Sequence, residues 1–391
     1  MSHPADTDGD WRALFDLPAR GLPGSGVYLD TAAHAPMLRT ARDAGVAALA
    51  GGNRPWTPDA PSWEARVERA RALAAAWFDG DADAIAFVPS AAYGVATAAG
   101  NLPLARGEAV LVLDGQFPSN LLAWQERCHV VGAHIAVARR GRGEDWTHAV
   151  LAAIEAHPQL RVAALPQAYW HDGALLDLDA IAPALHARGV ALVLDLSQSL
   201  GALPADIALW KPDFVVSVGY KWLLGPTGLS LLWAAPRWRE RGIAIEQHWS
   251  ARDDRQVWTF DPGTLPRFRS GARRFDAGGV LDPLRLGMFE AAQAQLRRWQ
   301  PGQVPSHLRR LLDALDAGLD ARGMGEWKTP GRAPHFCGVR PPPERFEAIA
   351  TALKAARIEC TARRGALRIA PHLHVSQDDI AHCVEVMAAA R

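Results

Sequence analysis

The stretch "VALVLDLSQSLGALPADIALWKPDFVVSVGYKWLLGPTG", residues 190–228, decides the fold. It holds two short apolar runs, 190–194 and 214–218, and each leads into a charged residue: Asp195 closes the first, and Lys221 follows the second just before a Gly-Pro-Thr-Gly turn. Runs that are apolar throughout mark strands buried on both faces, which requires a parallel sheet covered by helices. Asp195 then stands at the carboxyl edge of the sheet, where open α/β folds bind ligands.

The same rhythm extends outward. "AIAFVP" leads to the helical "SAAYGVATAAGNLP", "EAVLVLDG" to "NLLAWQERCHVVG", and "RVAALPQAY" to "LDAIAPALHARG". After about residue 235 it stops. A stretch rich in Pro, Arg and Trp follows, and from 285 onward helical patterns alternate with short strands ("HFCGVR", "ALRIAP"), as in an α+β unit. The expected organisation is an N-terminal segment 1–25, a large α/β domain 26–284 whose part 249–279 forms an interface or active-site margin, and a small C-terminal α+β domain 285–391.

Composition narrows the function. Forty-two basic residues balance forty-two acidic ones over 391 residues, which speaks against a nucleic-acid or membrane surface as the main partner and for a small molecule. The beginning of the chain lacks the apolar core of a signal peptide and no apolar run reaches membrane-spanning length, so the expectation is a soluble, cytoplasmic protein. Cys128, Cys337, Cys360 and Cys383 show no paired or metal-ligand spacing, and no metal site is expected.

Lys221 admits two readings. One is an ordinary lysine with its ammonium in water and its stem on Trp222; the other is a desolvated, neutral amine of the kind a Schiff-base lysine needs. Asp195 and Lys221 end successive strands and can face one pocket. They form either a mutual salt bridge or the two ends of a cofactor grip, the acid on a pyridinium nitrogen and the amine on an aldehyde. Ser90 opens a helix after a strand and Pro89; it is either a plain N-cap or part of a phosphate cradle at the helix N-terminus. Phe117, in "DGQFPSN", either stacks on a flat cofactor or tucks against the next helix.

Together "YLDTAAHAPM", "FVPSAAYG", "DGQFPSN", "LDLSQSLG", "GYKWLLGPTG" and "LRIAPHL" resemble the class V aminotransferases, fold-type I pyridoxal-phosphate enzymes that include cysteine desulfurases, kynureninase and isopenicillin N epimerase-like proteins. The resemblance runs from about residue 26 to the end of the chain. It implies pyridoxal 5′-phosphate as cofactor, with Lys221 on its aldehyde and moving protons, Asp195 on its ring nitrogen, Gln198 on its phenolic oxygen and Phe117 stacked on its ring. Ser90, Ala91, Ala92 and Tyr220 would hold the phosphate, with Ala91 and Ala92 contributing backbone N–H groups where relatives carry hydroxyls. Arg368 would fork onto the substrate α-carboxylate, beside Ala33 and His34.

The implied activity is chemistry at the Cα of a small amino acid, transamination first, with C–S or C–C lysis or epimerisation as alternatives. A desulfurase would need a nucleophilic cysteine, and Cys360, in an apparent strand turn, reads as packing. The resemblance also implies a homodimer with shared sites, in which Arg273 lends charge to the partner's phosphate.

Overall fold

The computed structural model describes residues 11–18, 21, 25–52, 56, 63–141, 144–279, 282–299 and 302–391. Of the expected N-terminal segment, residues 1–10, 19–20 and 22–24 lie outside the described residues.

Among these residues a seven-stranded sheet forms the centre, in the order Ile85–Val88, Ser230–Ala234, Phe214–Val218, Ala191–Asp195, Leu160–Pro166, Ala109–Leu113, His134–Ala138. Every strand runs the same way except Ser230–Ala234, which is antiparallel to both neighbours. The reversal has a topological cause: residues 219–229 contain no helix, and a parallel return needs a longer crossover. Ile85–Val88, Ala109–Leu113, Phe214–Val218 and Ser230–Ala234 are buried along their whole length, which is why they read as unbroken apolar runs. The edge strand His134–Ala138 is half exposed.

Helices cover both faces at close range. On Ala91–Asn101, a Cβ at Gly94 would lie 2.5 Å from Val216 Cγ1, so only glycine lets this helix sit so near the sheet. That closeness holds its N-terminus at the carboxyl edge. A buried ion pair locks the same region from behind: Arg71, 1% exposed, donates to both carboxylate oxygens of Asp276 at 3.1 and 2.7 Å, and Asp276 also accepts from Phe87 N. Removing one partner of such a pair typically costs about 3–5 kcal/mol.

The C-terminal part builds a small antiparallel sheet, Thr361–Arg363, Ala366–Ile369 and Cys337–Val339, with helices Gln303–Ala321, Pro343–Ala355 and Gln377–Ala389 around it. The beginning of the chain joins this unit. Val27–Tyr28 pairs in parallel with Ile358–Glu359, and Phe15, Leu29 and Leu38 belong to the same core as Leu311, Leu367 and Ile380. Residues 26–38, expected in the large domain, therefore bridge the two units and bring Asp30 to the C-terminal sheet. No helix among the described residues is long and apolar enough to cross a membrane.

Candidate active site

The carboxyl edge of the sheet carries a small pocket. Ser90, Ala91, Phe117, Asp195, Gln198, Tyr220 and Lys221 all line it, so sequence positions spread over 130 residues converge on one cavity, because each follows a parallel strand or the lysine turn. Gln116, Ser119, Trp170 and Ser197 complete much of the wall.

Lys221 sits in a turn held by Gly225 N on Gly219 O at 2.8 Å and Leu224 N on Lys221 O at 3.1 Å. Gly219 is required there, since a Cβ would lie 2.4 Å from Leu229 O. The side chain is 8% exposed and its Nζ makes no hydrogen bond or ion pair among the described residues. It lies 5.7 Å from the centroid of the Phe117 ring. Burial lowers the amine from 10.5 to about 8, against the upward pull of Asp195 and Asp30 and with the downward push of Arg368.

A pH dependence follows. The unfolded chain holds this proton up to pH 10.5 and the folded chain only to about 8, so between these values the unfolded state binds more protons and stability rises with pH. The contribution, about 3 kcal/mol, is complete above the upper value and lost as pH falls through the lower. The urea midpoint of cofactor-free protein, measured against Lys221→Met, is expected to climb over this interval; a constant difference would contradict the desolvated amine.

Asp195 ends its strand and lines the pocket, with one carboxylate oxygen fixed by Ser197 N at 3.0 Å and the other without a protein donor among the described residues. Gln198 is more constrained. Its Oε1 accepts from Trp222 Nε1 at 3.2 Å, and its Nε2 donates to Ala32 O at 2.9 Å, which leaves one N–H of the amide for a ligand. Ser90 caps helix Ala91–Asn101 with its hydroxyl accepting from Tyr93 N at 3.1 Å, and the N–H groups of Ala91 and Ala92 have no partner among the described residues. Ala91 lines the pocket; the side chain of Ala92 is exposed and does not. Tyr220 is half-buried, its phenol held neutral by burial and by Asp195, and it stacks on His34 with centroids 5.1 Å apart.

The expected substrate-side residues lie just outside this wall. Arg368, 5% exposed, is already engaged: Nη1 donates to Trp170 O at 3.0 Å, and Nη2 to Asp30 Oδ1 at 2.8 Å and Thr361 Oγ1 at 3.1 Å. Only its Nε is buried without a partner. His34 meets Thr227 Oγ1 at 3.0 Å and Ala35 O at 2.9 Å, and the exposed Ala33 donates its N–H to Asp30 O. Arg273 is bound to Glu68 and Asp83 of its own chain, so reaching a neighbour's site would require breaking both pairs. Cys360 shares an outer groove with Ala350 and Leu353, away from the pocket wall, and burial together with Asp30 and Glu359 pushes its thiol up to about 12.

Three contributors went unread in the sequence. Trp170 follows the strand Leu160–Pro166 at the same sheet edge, a position that the strand-end argument covers. Asp30, partner of Arg368, and Trp222, partner of Gln198, leave no periodic signal, because each acts through a contact distant in sequence.

The arrangement suits pyridoxal 5′-phosphate. A buried amine without a partner answers the aldehyde, a free carboxylate oxygen the ring nitrogen, the Phe117 ring a flat face, and two free N–H groups at a helix N-terminus the phosphate. A family model described as aminotransferase class-V matches residues 27–371. An uncharacterized aminotransferase of Bacillus subtilis is 24% identical over 345 residues, covering 84% of this chain and 85% of that protein. A kynureninase of Deinococcus radiodurans is 29% identical over 291 residues, covering 72% and 67%. Among solved structures, a cysteine desulfurase of Escherichia coli superposes with a TM-score of 0.80 at 20% identity over 98% of both chains, a likeness of fold.

Proposed function

The chain belongs to the aminotransferase class-V family, and from that premise we propose that it is an aminotransferase acting on a small amino acid. It is a pyridoxal 5′-phosphate enzyme; the cofactor, when bound, supplies an electron sink for the pair left at the substrate Cα. The observation that carries the proposal is the isolated, desolvated amine of Lys221, the single amine on the pocket wall. Moving a proton between the substrate Cα and the cofactor carbon on the other side of the amino nitrogen asks for one mobile base, and Lys221 Nζ, on its flexible stem, would be that base. Asp195 holds the ring nitrogen protonated, Phe117 flanks the ring, and Ser90, Ala91 and Ala92 anchor the phosphate. Arg368, bound to Trp170 of the pocket wall, is the residue assigned to the substrate carboxylate in this reading.

The similarity to a kynureninase supports a second reading, C–C lysis, in which the same Lys221 proton transfer precedes loss of a side-chain fragment. A spectral titration of the holoenzyme with single amino acids separates the two. Conversion of the cofactor to its pyridoxamine form with release of a 2-oxo acid is expected. Release of alanine or pyruvate without that conversion would overturn the aminotransferase reading.

The working unit in this reading is a homodimer. Ile243, Ile245, Trp249, Trp258, Phe260 and Leu265 are all exposed within one irregular segment, an apolar and aromatic surface of the type that interfaces bury. Sedimentation is expected to give a dimer; a fully active monomer would contradict it.

A further inference from the structure

The hairpin that carries Arg368 holds another arginine at its tip. Strands Thr361–Arg363 and Ala366–Ile369 pair with Arg363 opposite Ala366, so Arg364 and Gly365 form a two-residue turn. Both residues have positive φ, +50° and +74°. This is the type I′ pattern, whose first position favours Asn, Asp or Gly because a longer side chain is crowded there. An arginine in that place goes against local preference, and such departures concentrate where a side chain serves function.

The tip leans on the pocket wall. A Cβ at Gly115 would lie 2.7 Å from both Arg364 Nη1 and Tyr169 Oη, and Gly115 itself has a φ of +63°. Gly115 O accepts from Trp170 Nε1 at 2.9 Å, and Gln116 and Phe117 follow Gly115 directly; Trp170, Gln116 and Phe117 all line the pocket. Arg364 is exposed and has no hydrogen bond or ion pair among the described residues. Of two nearby carboxylates, Asp172 is shared by Arg140 and Arg340 at 2.6 and 2.7 Å, and Asp114, which like Arg364 acts on the Tyr169 hydroxyl, makes no ion pair with Arg364 among the described residues. Beside the pocket wall the chain thus carries a cation with no ion-pair partner among the described residues, held in a strained turn and backed by an arginine-rich cluster.

We propose that Arg364 is a specificity-determining residue that binds a second acidic group, so that the substrate is an amino acid with an anionic side chain. This rests on the amino-acid chemistry proposed above. Arg368 and Arg364, on one rigid hairpin, would then receive the two ends of the substrate, and a neutral side chain would leave Arg364 without a counter-charge.

The test uses inert ligands, succinate and the isosteric monocarboxylate butyrate, with calorimetry on the holoenzyme. Succinate is expected to bind about tenfold more tightly, as a charge-assisted contact warrants. Arg364→Asn, whose side chain suits the turn, is expected to stay at least as stable as the parent, lose that preference to within about twofold, and leave butyrate binding unchanged. Equal affinities in the parent, or a preference that survives in Arg364→Asn, would overturn the proposal. A holoenzyme that prefers succinate yet gives no spectral change with any amino acid would count against the proposed reaction and support the subsite.

Discussion

Lys221→Ala protein is expected to fold and to turn over its amino-acid substrate on the order of 10⁴-fold more slowly than the parent. Folding survives because the side chain supplies no hydrogen bond or ion pair to the structure around it, and its burial as a lysine is a cost. Activity does not survive because the pocket offers no other amine. Asp195 is a carboxylate rather than an amine, and the Tyr220 phenol is kept protonated by burial and by Asp195. Steady-state assay alongside a thermal melt checks both halves. Near-parental activity would remove Lys221 from the reaction, whereas a collapsed melt would make it structural.

Asp195→Asn is expected to give the second large effect, a fall of about 10²–10³ in kcat with little change in stability. The side chain makes one local hydrogen bond, from Ser197 N, which the Asn carbonyl can still accept. What is lost is the negative charge at the pocket wall. With it goes the protonated ring nitrogen that lets charge spread away from Cα. The replacement should also move the amine of Lys221 further down, since Asp195 is one of the two groups pulling it up. Activity within tenfold of the parent would exclude the role.

Much of this was legible in the sequence for a physical reason. A strand buried on both faces must be apolar throughout, so Asp195 and Lys221 stand out as charges at its end, and helices must begin just beyond, which marks Ser90 and Phe117. The reversed strand Ser230–Ala234 was within reach of the same logic, because no crossover helix fits before it. The contacts that position the substrate side were not legible. Arg368 pairs with Asp30 across 338 residues because the beginning of the chain folds onto the C-terminal sheet, and neither spacing nor periodicity encodes that return. Arg273 could be recognised as one of a run of arginines, but its partners Glu68 and Asp83 lie some two hundred positions away.

The chain contains only the lysines Lys211, Lys221, Lys328 and Lys354. Lys211 and Lys354 are exposed, Lys328 pairs with Asp320, and Lys221 alone is buried in the pocket. Borohydride reduction of the holoenzyme, followed by digestion and mass mapping, therefore tests the account most directly. The pyridoxyl group is expected on the peptide containing Lys221 and on no other. A tag on Lys211, Lys328 or Lys354, or no tagged lysine in a catalytically active preparation, would contradict it.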